Sequence, residues 1–406
     1  MEKFLHQILY QLILNIMLIE ELIKKNENKV LEFKENTKNL SSIIKAVVAF
    51  ANTAGGTIII GIEDRTKKLI GVKNSLDEEE RLINAISDSI SPFIIPNIEI
   101  HSYKNKELLI INIPHSAGPY YIKSLGIDKG AFIRSGSTNR IADSEMLDTL
   151  KLYAKKITFD EIAYPMGDIE DLDWIAIKES FRESNKRITE SKAEDLELVV
   201  NHIGKLCPSM GGIILFGKKR LKLFPDALIR CVRFAGYNKS KVIDHLEIDD
   251  YPVYAVQEVI KFIERNTKMG VKFNKIKRID IPEYPPIAIR ETVINAVVHT
   301  DYTIKGSSVL ISIFDDRIEI TNPGGIPIGI TLERALSGAS RIRNRVIAKT
   351  FRELGLIEQW GSGLQRIIHS CNKKGLKKPL FEDFISEFMV TLYATKEKRL
   401  NKSGKK

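Results

Sequence analysis

Apolar residues along the chain fall into alternating short runs and helical stripes. In "NTKNLSSIIKAVVAFANTAGG", Ile43, Ile44, Val47, Val48 and Ala51 recur at the spacing that puts one helical face against a core. Ser41 or Asn39 can cap that helix, and Gly55-Gly56 can end it with positive φ. "TIIIGIED" follows as a continuous apolar run too short for a helix, which suits a strand covered on both faces. "IPNIEIHSYKNKELLIINIP" reads as two strands about a polar turn at Lys104 to Lys106. "GAFIRSGSTNR" reads as a strand entering a polar loop, and a helix runs from Asp143 to Tyr153.

Further on, the pattern predicts a helix near Trp174 to Ser184. "GGIILFGKKRLKLFPDALIRCVRFAG" reads as strand, basic turn (Lys218 to Lys222) and strand, and a helix lies near Tyr254 to Glu264. The last stretch predicts a helix at 286–300, strands at 308–314 and 316–321, helices at 331–337, at 343–354 and from 362, and a final strand "EFMVTLY". This order gives a multidomain α+β chain: a helix within 1–22, an α+β domain at 23–155, a central α/β connector at 156–275, a third domain at 276–394 and a basic, polar tail at 395–406. The apolar run of the first helix is interrupted by His6, Gln7, Gln11 and Asn15, so an amphipathic helix is expected there and not a membrane span or signal peptide. Synthesis starting at Met17 is the alternative.

Composition changes the picture in two ways. The chain has 406 residues and a formal net charge of +10, which favours polyanionic partners: nucleic acid first, nucleotides second, anionic membrane third. Its three cysteines, Cys207, Cys231 and Cys371, are widely spaced and outside any metal-ligand pattern, so reduced, buried thiols and a cytoplasmic setting are expected. "GIILFGKK" nearly spells a phosphate-binding loop. Four apolar residues fill its loop positions, however, and Lys219 stands where Ser or Thr should hold Mg²⁺, so that reading is rejected.

Candidate chemistry begins in "IRETVINAVVHTDY", where Glu291 and Asn295 lie four apart, one turn of a helix. A carboxylate that orients or deprotonates water and an amide oxygen that ligates Mg²⁺ could share that face, or the two could be a solvated pair. "DDRIEITNPGGIP" is a strand ending in a glycine turn, and "WGSGLQRI" puts Gly361-Ser362-Gly363 before a helix, a natural phosphate cradle. The order of these blocks resembles the GHKL ATPase superfamily of gyrase B, MutL and histidine kinases. More closely, it resembles its divergent RecG C-terminal-like ATP-binding domains, which implies a Bergerat-type α/β sandwich. The resemblance implies Glu291 as general base of an ATPase and Asn295 as Mg²⁺ ligand. It puts Asn322, Gly324 and Gly325 by the adenine and Gly361, Ser362 and Gly363 by the phosphates. Arg343 and Asn344 fall in or near a lid spanning 334–360. The superfamily usually has Asp at the start of the first glycine motif; Asn322 here accepts the same hydrogen bond without charge assistance. His299 and Asp301 are further candidates.

In the first domain, "VLEFKEN", "AFANTAGGTIIIGIED" and "GAFIRSGSTNRIA" resemble the Schlafen AlbA-2 domain, which implies nucleic-acid binding. Lys34, Lys45, Arg134 and Arg140 could contact phosphate, with Arg134 the foremost, and Tyr120 and Tyr121 could stack on bases or be half-buried strand residues. In animal Schlafen ribonucleases the metal-binding acids match Glu27, Glu32 and Asp64 here. The sequence therefore implies a cytoplasmic, ATP- and Mg²⁺-binding regulator of transcription or nucleotide-gated switch. It would act on nucleic acid, DNA more than RNA, with a homodimer or higher oligomer expected and no membrane partner. One alternative is a nuclease using Mg²⁺ or Mn²⁺ at Glu27, Glu32 and Asp64. The other is a non-catalytic scaffold with both sites degenerate.

Overall fold

The computed structural model describes residues 19–274, 277–357, 363–384 and 386–394; residues 1–18, where a helix was expected, Gly361 and Ser362, and the basic tail lie outside these. The chain forms two compact units that meet between Lys156 and Ile157. Both mix helices and sheets. Among the described residues no helix is long and apolar enough to cross a membrane.

The first unit runs β1 (Leu31–Lys34), α1 (Leu40–Thr53), β2 (Gly56–Ile60), α2 (Ser75–Ser89), β3 (Asn97–Tyr103), β4 (Lys106–Ile113), β5 (Phe132–Ser135), β6 (Thr138–Ile141) and α3 (Ser144–Ala154). Its sheet has the order β1-β2-β4-β3, with β1 parallel to β2 and the other pairs antiparallel. The period-two alternation of a strand explains the triple isoleucine. Ile58 and Ile60 pack with Val47, Phe50 and Leu109 on one face, while Ile59 packs with Leu31, Phe33 and Ile110 on the other. Asn39 caps α1 by accepting from the Ser42 amide at 3.0 Å. Gly55 ends that helix at φ +73°, where a side chain would strike the Ile113 carbonyl. The pattern did not reveal α2, whose buried residues are only Ser75, Leu82 and Ile86.

The second unit runs α4 (Trp174–Glu183), α5 (Met210–Phe216), β7 (Ile229–Phe234), β8 (Val242–Ile248), α6 (Pro252–Asn266), α7 (Pro286–His299), β9 (Val309–Ile313), β10 (Arg317–Pro323), α8 (Leu332–Leu336), α9 (Arg345–Glu353), α10 (Gly363–Lys373), β11 (Leu380–Phe384) and β12 (Glu387–Tyr393). Two hairpins, Val199–His202 with Lys205–Pro208 and Met269–Asn274 with Lys277–Pro282, lie outside its main sheet. That sheet has the order β8-β7-β9-β10-β12-β11. Strand β7 pairs in parallel with β9, Ile229 opposite Val309 and Arg233 opposite Ile313. The expected boundary at 275 therefore falls inside one sheet and one core. "GGIILF", expected as a strand, is helix α5: its residues are buried all round, so the run carried no periodicity to tell helix from strand. Cys207, Cys231 and Cys371 are free and buried.

Helix α9 lacks a side-chain cap from its own Asn344. The cap comes instead from Asp160, just past the boundary between the units: its carboxylate accepts from the Arg345 amide at 2.9 Å and the Ile347 amide at 3.0 Å. Burial raises the Asp160 pKa to about 6. Because the folded pKa lies above the unfolded one, its contribution to stability is full below about pH 4 and is lost as pH rises through 6. Asp160→Ala should cost about 2 kcal/mol by orphaning the buried Ile347 amide and leaving the Arg345 amide only the Thr158 hydroxyl at 3.4 Å. Lowering the pH from 6.5 to 5 should raise the wild-type contribution by about 1 kcal/mol relative to that variant. Urea midpoints of both proteins at the two pH values check this.

Candidate functional site

Helix α7 starts with Pro286, whose missing amide hydrogen costs nothing at that position. It is apolar around most of its circumference, with Ala288, Ile289, Val293, Ile294, Val297 and Val298 all buried, and such a helix belongs in a core. Glu291, Asn295 and His299 follow at intervals of one turn and share a face. Gly363, the first residue of α10, closes on that face. A Cβ at Gly363 would lie 3.1 Å from both Glu291 Oε2 and Asn295 Nδ2. The acid–amide pair thus looks inward onto the second glycine motif.

Beside this contact is a cleft of about 140 Å³. Helix α7 supplies Thr292, Asn295, Ala296 and His299; the sheet supplies Ile320, Asn322, Phe388 and Val390. Gly325 to Pro327 with Ile330, then Ala335 and Ala339 to Arg341, and Gly363, Leu364 and Ile367 complete it. The walls are mainly apolar with a few polar groups, as in small-molecule sites generally. Glu291 is set behind the lining: it is 6 % exposed, and its Oε1 lies 3.0 Å from Arg366 and 3.8 Å from Arg290. Arg366 was not anticipated, although it stands three residues after Gly363 and therefore near the same side of α10.

Asn322 ends β10 and is buried, its Nδ2 donating to the carbonyls of Pro323 at 3.1 Å and Gly324 at 3.3 Å. Gly324, at φ +82°, turns the chain so tightly that a Cβ would lie 2.7 Å from Asp301 Cβ. Arg343 donates to Asp301 at 2.6 Å and to the Gly325 carbonyl at 2.5 Å. Asn344 is 1 % exposed and donates to the carbonyls of Val298 at 2.9 Å and Thr300 at 2.8 Å, which end α7 without helical partners. Both side chains are thus committed to the frame of the cleft. Within the expected lid, Ala335 and Ala339 to Arg341 line the cleft, whereas α9 buries Val346, Ile347, Ala348 and Phe351 in the core. Burial, reinforced by Arg343, pushes the His299 pKa down to about 4, and its buried Nδ1 has no hydrogen-bond partner among the described residues.

In the first unit Arg134 on β5 is 3 % exposed. Its guanidinium pairs with buried Glu32, donates to Asn139 Oδ1 at 2.9 Å and to the Asn28 carbonyl at 3.1 Å, and lies 4.9 Å from the Phe50 ring centroid. It is therefore committed inside the unit. Glu32 also pairs with Lys34 at 2.6 Å, and Asp64 with Lys67 at 3.0 Å. The Glu27 pKa is raised, first by burial and then by Glu32 and Asp64, partly offset by the Phe33 amide donating at 2.7 Å. Glu27 is thus near enough to sense Glu32 and Asp64, but among the described residues no group of His, Cys, Asp or Glu is arranged to hold a metal. Tyr120 is buried and Tyr121 half-buried; Lys45 is half-buried beside Phe132 and Arg140 is exposed on β6. Arg134→Met, which leaves buried Glu32 with Lys34 as its remaining cation and strips the Asn28 and Leu31 carbonyls of a donor, should cost about 2 kcal/mol. The shift of the urea midpoint reads it.

Comparison with known proteins adds family assignments. A family model described as "Schlafen, AlbA_2" matches residues 27–143, and one described as "Putative ATP-dependent DNA helicase recG C-terminal" matches residues 306–392. The second match begins after α7, so geometry alone joins Glu291 and Asn295 to it. A protein of Ureaplasma parvum serovar 3, named as an uncharacterized ATP-binding protein, is 26 % identical over 238 residues, 56 % of this chain. The match spans 65 % of that relative's length. Among solved structures, the DIP2311 protein of Corynebacterium diphtheriae is similar over 93 % of this chain and 79 % of its own, at 20 % identity and a TM-score of 0.49. The N-terminal domain of a RecG-related protein of Nitrosomonas europaea is similar over 31 % of this chain and 90 % of its own, at 22 % identity and a TM-score of 0.26. Residues 27–143 thus match the Schlafen AlbA_2 family and residues 306–392 the RecG C-terminal-like HATPase_c_4 family.

Proposed function

We propose that this protein binds ATP with Mg²⁺ in the cleft of its second unit and nucleic acid, DNA in preference to RNA, on its first, and that it works as a nucleotide-gated regulator. The observation that carries this reading is the closure of Gly363 on Glu291 and Asn295. A Cβ there would press on the acid–amide pair at 3.1 Å, so glycine keeps the space beside it open, and a helix start with bare backbone is where phosphate is held. The name of the Ureaplasma relative, an ATP-binding protein, agrees with it.

Asn295 would supply an amide oxygen to Mg²⁺, a cation that takes few protein ligands. Mg²⁺ would neutralise and orient the phosphates. Asn322, Gly324 and Gly325 would face the base, and Gly363, with Gly361 and Ser362, the phosphates. Arg343 and Asn344 would act by holding the end of α7. Glu291 is the candidate base, but its Oε1 is taken up by Arg366. Oε2, on the side of Gly363, is the oxygen that would take a proton from water. On the first unit, exposed Arg140 and half-buried Lys34 and Lys45 are the candidate phosphate contacts. The ion pairs of Glu32 and Asp64 support binding over metal-dependent cleavage. Gating requires that ATP bind a closed state, with Ala335 to Arg341 over the cleft, more tightly than an open one. Pairing of two copies and an intracellular setting belong to the same reading.

Titration calorimetry of the full chain with ATP, with and without Mg²⁺, tests the proposal. Asn295→Ala should remove the Mg²⁺-dependent part of the affinity, at least about tenfold. Wild-type protein that does not bind, or a variant that binds as well, overturns it. Gly363→Ala should weaken ATP by about tenfold or more while leaving the thermal midpoint within a few degrees, and the same titration with a melting curve reads both.

A further inference from the structure

The cleft holds a second polar group that the proposed ATP site does not yet use. His299 is the last residue of α7, and its immediate neighbours are pinned. The carbonyls on either side of it, of Val298 and Thr300, accept from Asn344. The amide of Asp301 donates to the Pro323 carbonyl at 2.9 Å, which brings the end of α7 against the end of β10 next to Asn322. Both His299 and Asn322 line the cleft. Two neighbouring side chains are therefore held at its wall by backbone and buried-amide contacts.

Their hydrogen-bonding characters differ. The Asn322 Nδ2 faces two carbonyls, which can only accept, so the amide orientation is determined and Oδ1 is the atom left to accept from a ligand. On His299, Nδ1 is sealed from solvent and without a partner among the described residues, so Nε2 is the nitrogen within reach of the cleft. The Arg343 guanidinium is the charge that acts on this ring. An N–H sealed away without an acceptor is costlier than a bare lone pair in the same place, which puts the proton on Nε2. The ring is neutral at physiological pH. The wall of one cleft thus offers an acceptor and a donor from chain segments that touch through the Asp301–Pro323 bond.

We propose that His299 is a specificity-determining residue that donates from Nε2 to N1 of adenine while Asn322 Oδ1 accepts from the adjacent 6-amino group. Adenine presents a donor beside an acceptor along that edge. Guanine presents the reverse, a carbonyl at position 6 and N–H at position 1, and would set donor against donor and acceptor against acceptor. A site built to pair such groups rejects the reversed pattern strongly, because its buried polar atoms are left unpaired. This inference rests on the nucleotide reading of the cleft.

The test is competitive binding to the full chain, with Mg²⁺, of ATP, GTP and 1-deaza-ATP, which keeps the 6-amino group but lacks the N1 acceptor. Wild-type protein should prefer ATP to GTP, and 1-deaza-ATP should bind about tenfold or more weakly than ATP. His299→Phe should lose a similar factor for ATP and nothing further for 1-deaza-ATP, so that the two losses do not add. Equal wild-type affinity for ATP and 1-deaza-ATP overturns the role of His299 without any variant having to fold, and leaves the ATP site standing. Retention of the ATP over 1-deaza-ATP preference in His299→Phe overturns it as well. Failure of wild-type protein to bind any of the three overturns the nucleotide reading and this inference with it.

Discussion

A helix that is apolar nearly all round has to sit in the interior, and every polar group it carries must then be satisfied there. Helix α7 is under that constraint. Thr292 returns its hydroxyl to the Ala288 carbonyl at 2.7 Å, and Thr300, just past the helix end, does the same to Ala296 at 2.6 Å. Glu291 meets Arg366. Asn295 and His299 face the cleft, where α10 and the ends of β10 and β12 close round them. A buried carboxylate without a partner would be very costly, so Arg366 and Glu291 require each other whatever chemistry the site performs.

A second frame holds the end of that helix. Asn344 takes up the terminal carbonyls of α7, Arg343 ties Asp301 to the glycine turn, and α9 begins at the next residue with its amides capped by Asp160. Asp160 belongs to the segment that opens the second unit. The end of α7, the first glycine turn and the start of the unit are therefore set by one continuous group of buried hydrogen bonds. Within the expected lid, α9 belongs to this frame, because it contributes Ile347 and Phe351 to the core.

The first unit applies the same economy to a different problem. Glu32 lies on β1 and is 3 % exposed, and Arg134 reaches it from β5, a hundred residues on. An arginine beside a polar Gly-Ser-Thr-Asn loop has the local context of a phosphate contact, yet this one also holds Asn28, Leu31 and Asn139. The residue joins the two ends of the unit, and any binding of a polyanion falls to cations nearer the surface, such as Arg140.

Local periodicity determined a good deal by itself: α1 with its Asn39 cap, the doubly covered β2, the turn at Lys104 to Lys106, and α7 with Glu291, Asn295 and His299 on one face. These depend on interactions within a few residues, which a short window contains. Other features depend on what comes from far along the chain. "GGIILF" could be strand or helix, since a run buried on all sides has no period to read, and only its surroundings made it α5. The parallel pairing of β7 with β9 joined the supposed connector to the ATPase-like sheet, and no local signal marks which strand a strand will find. Whether Arg134 met phosphate or Glu32, and whether the face of Glu291 and Asn295 met water or Gly363, was decided by tertiary structure alone, because a side chain's partner is set by where the chain returns and not by the residues beside it.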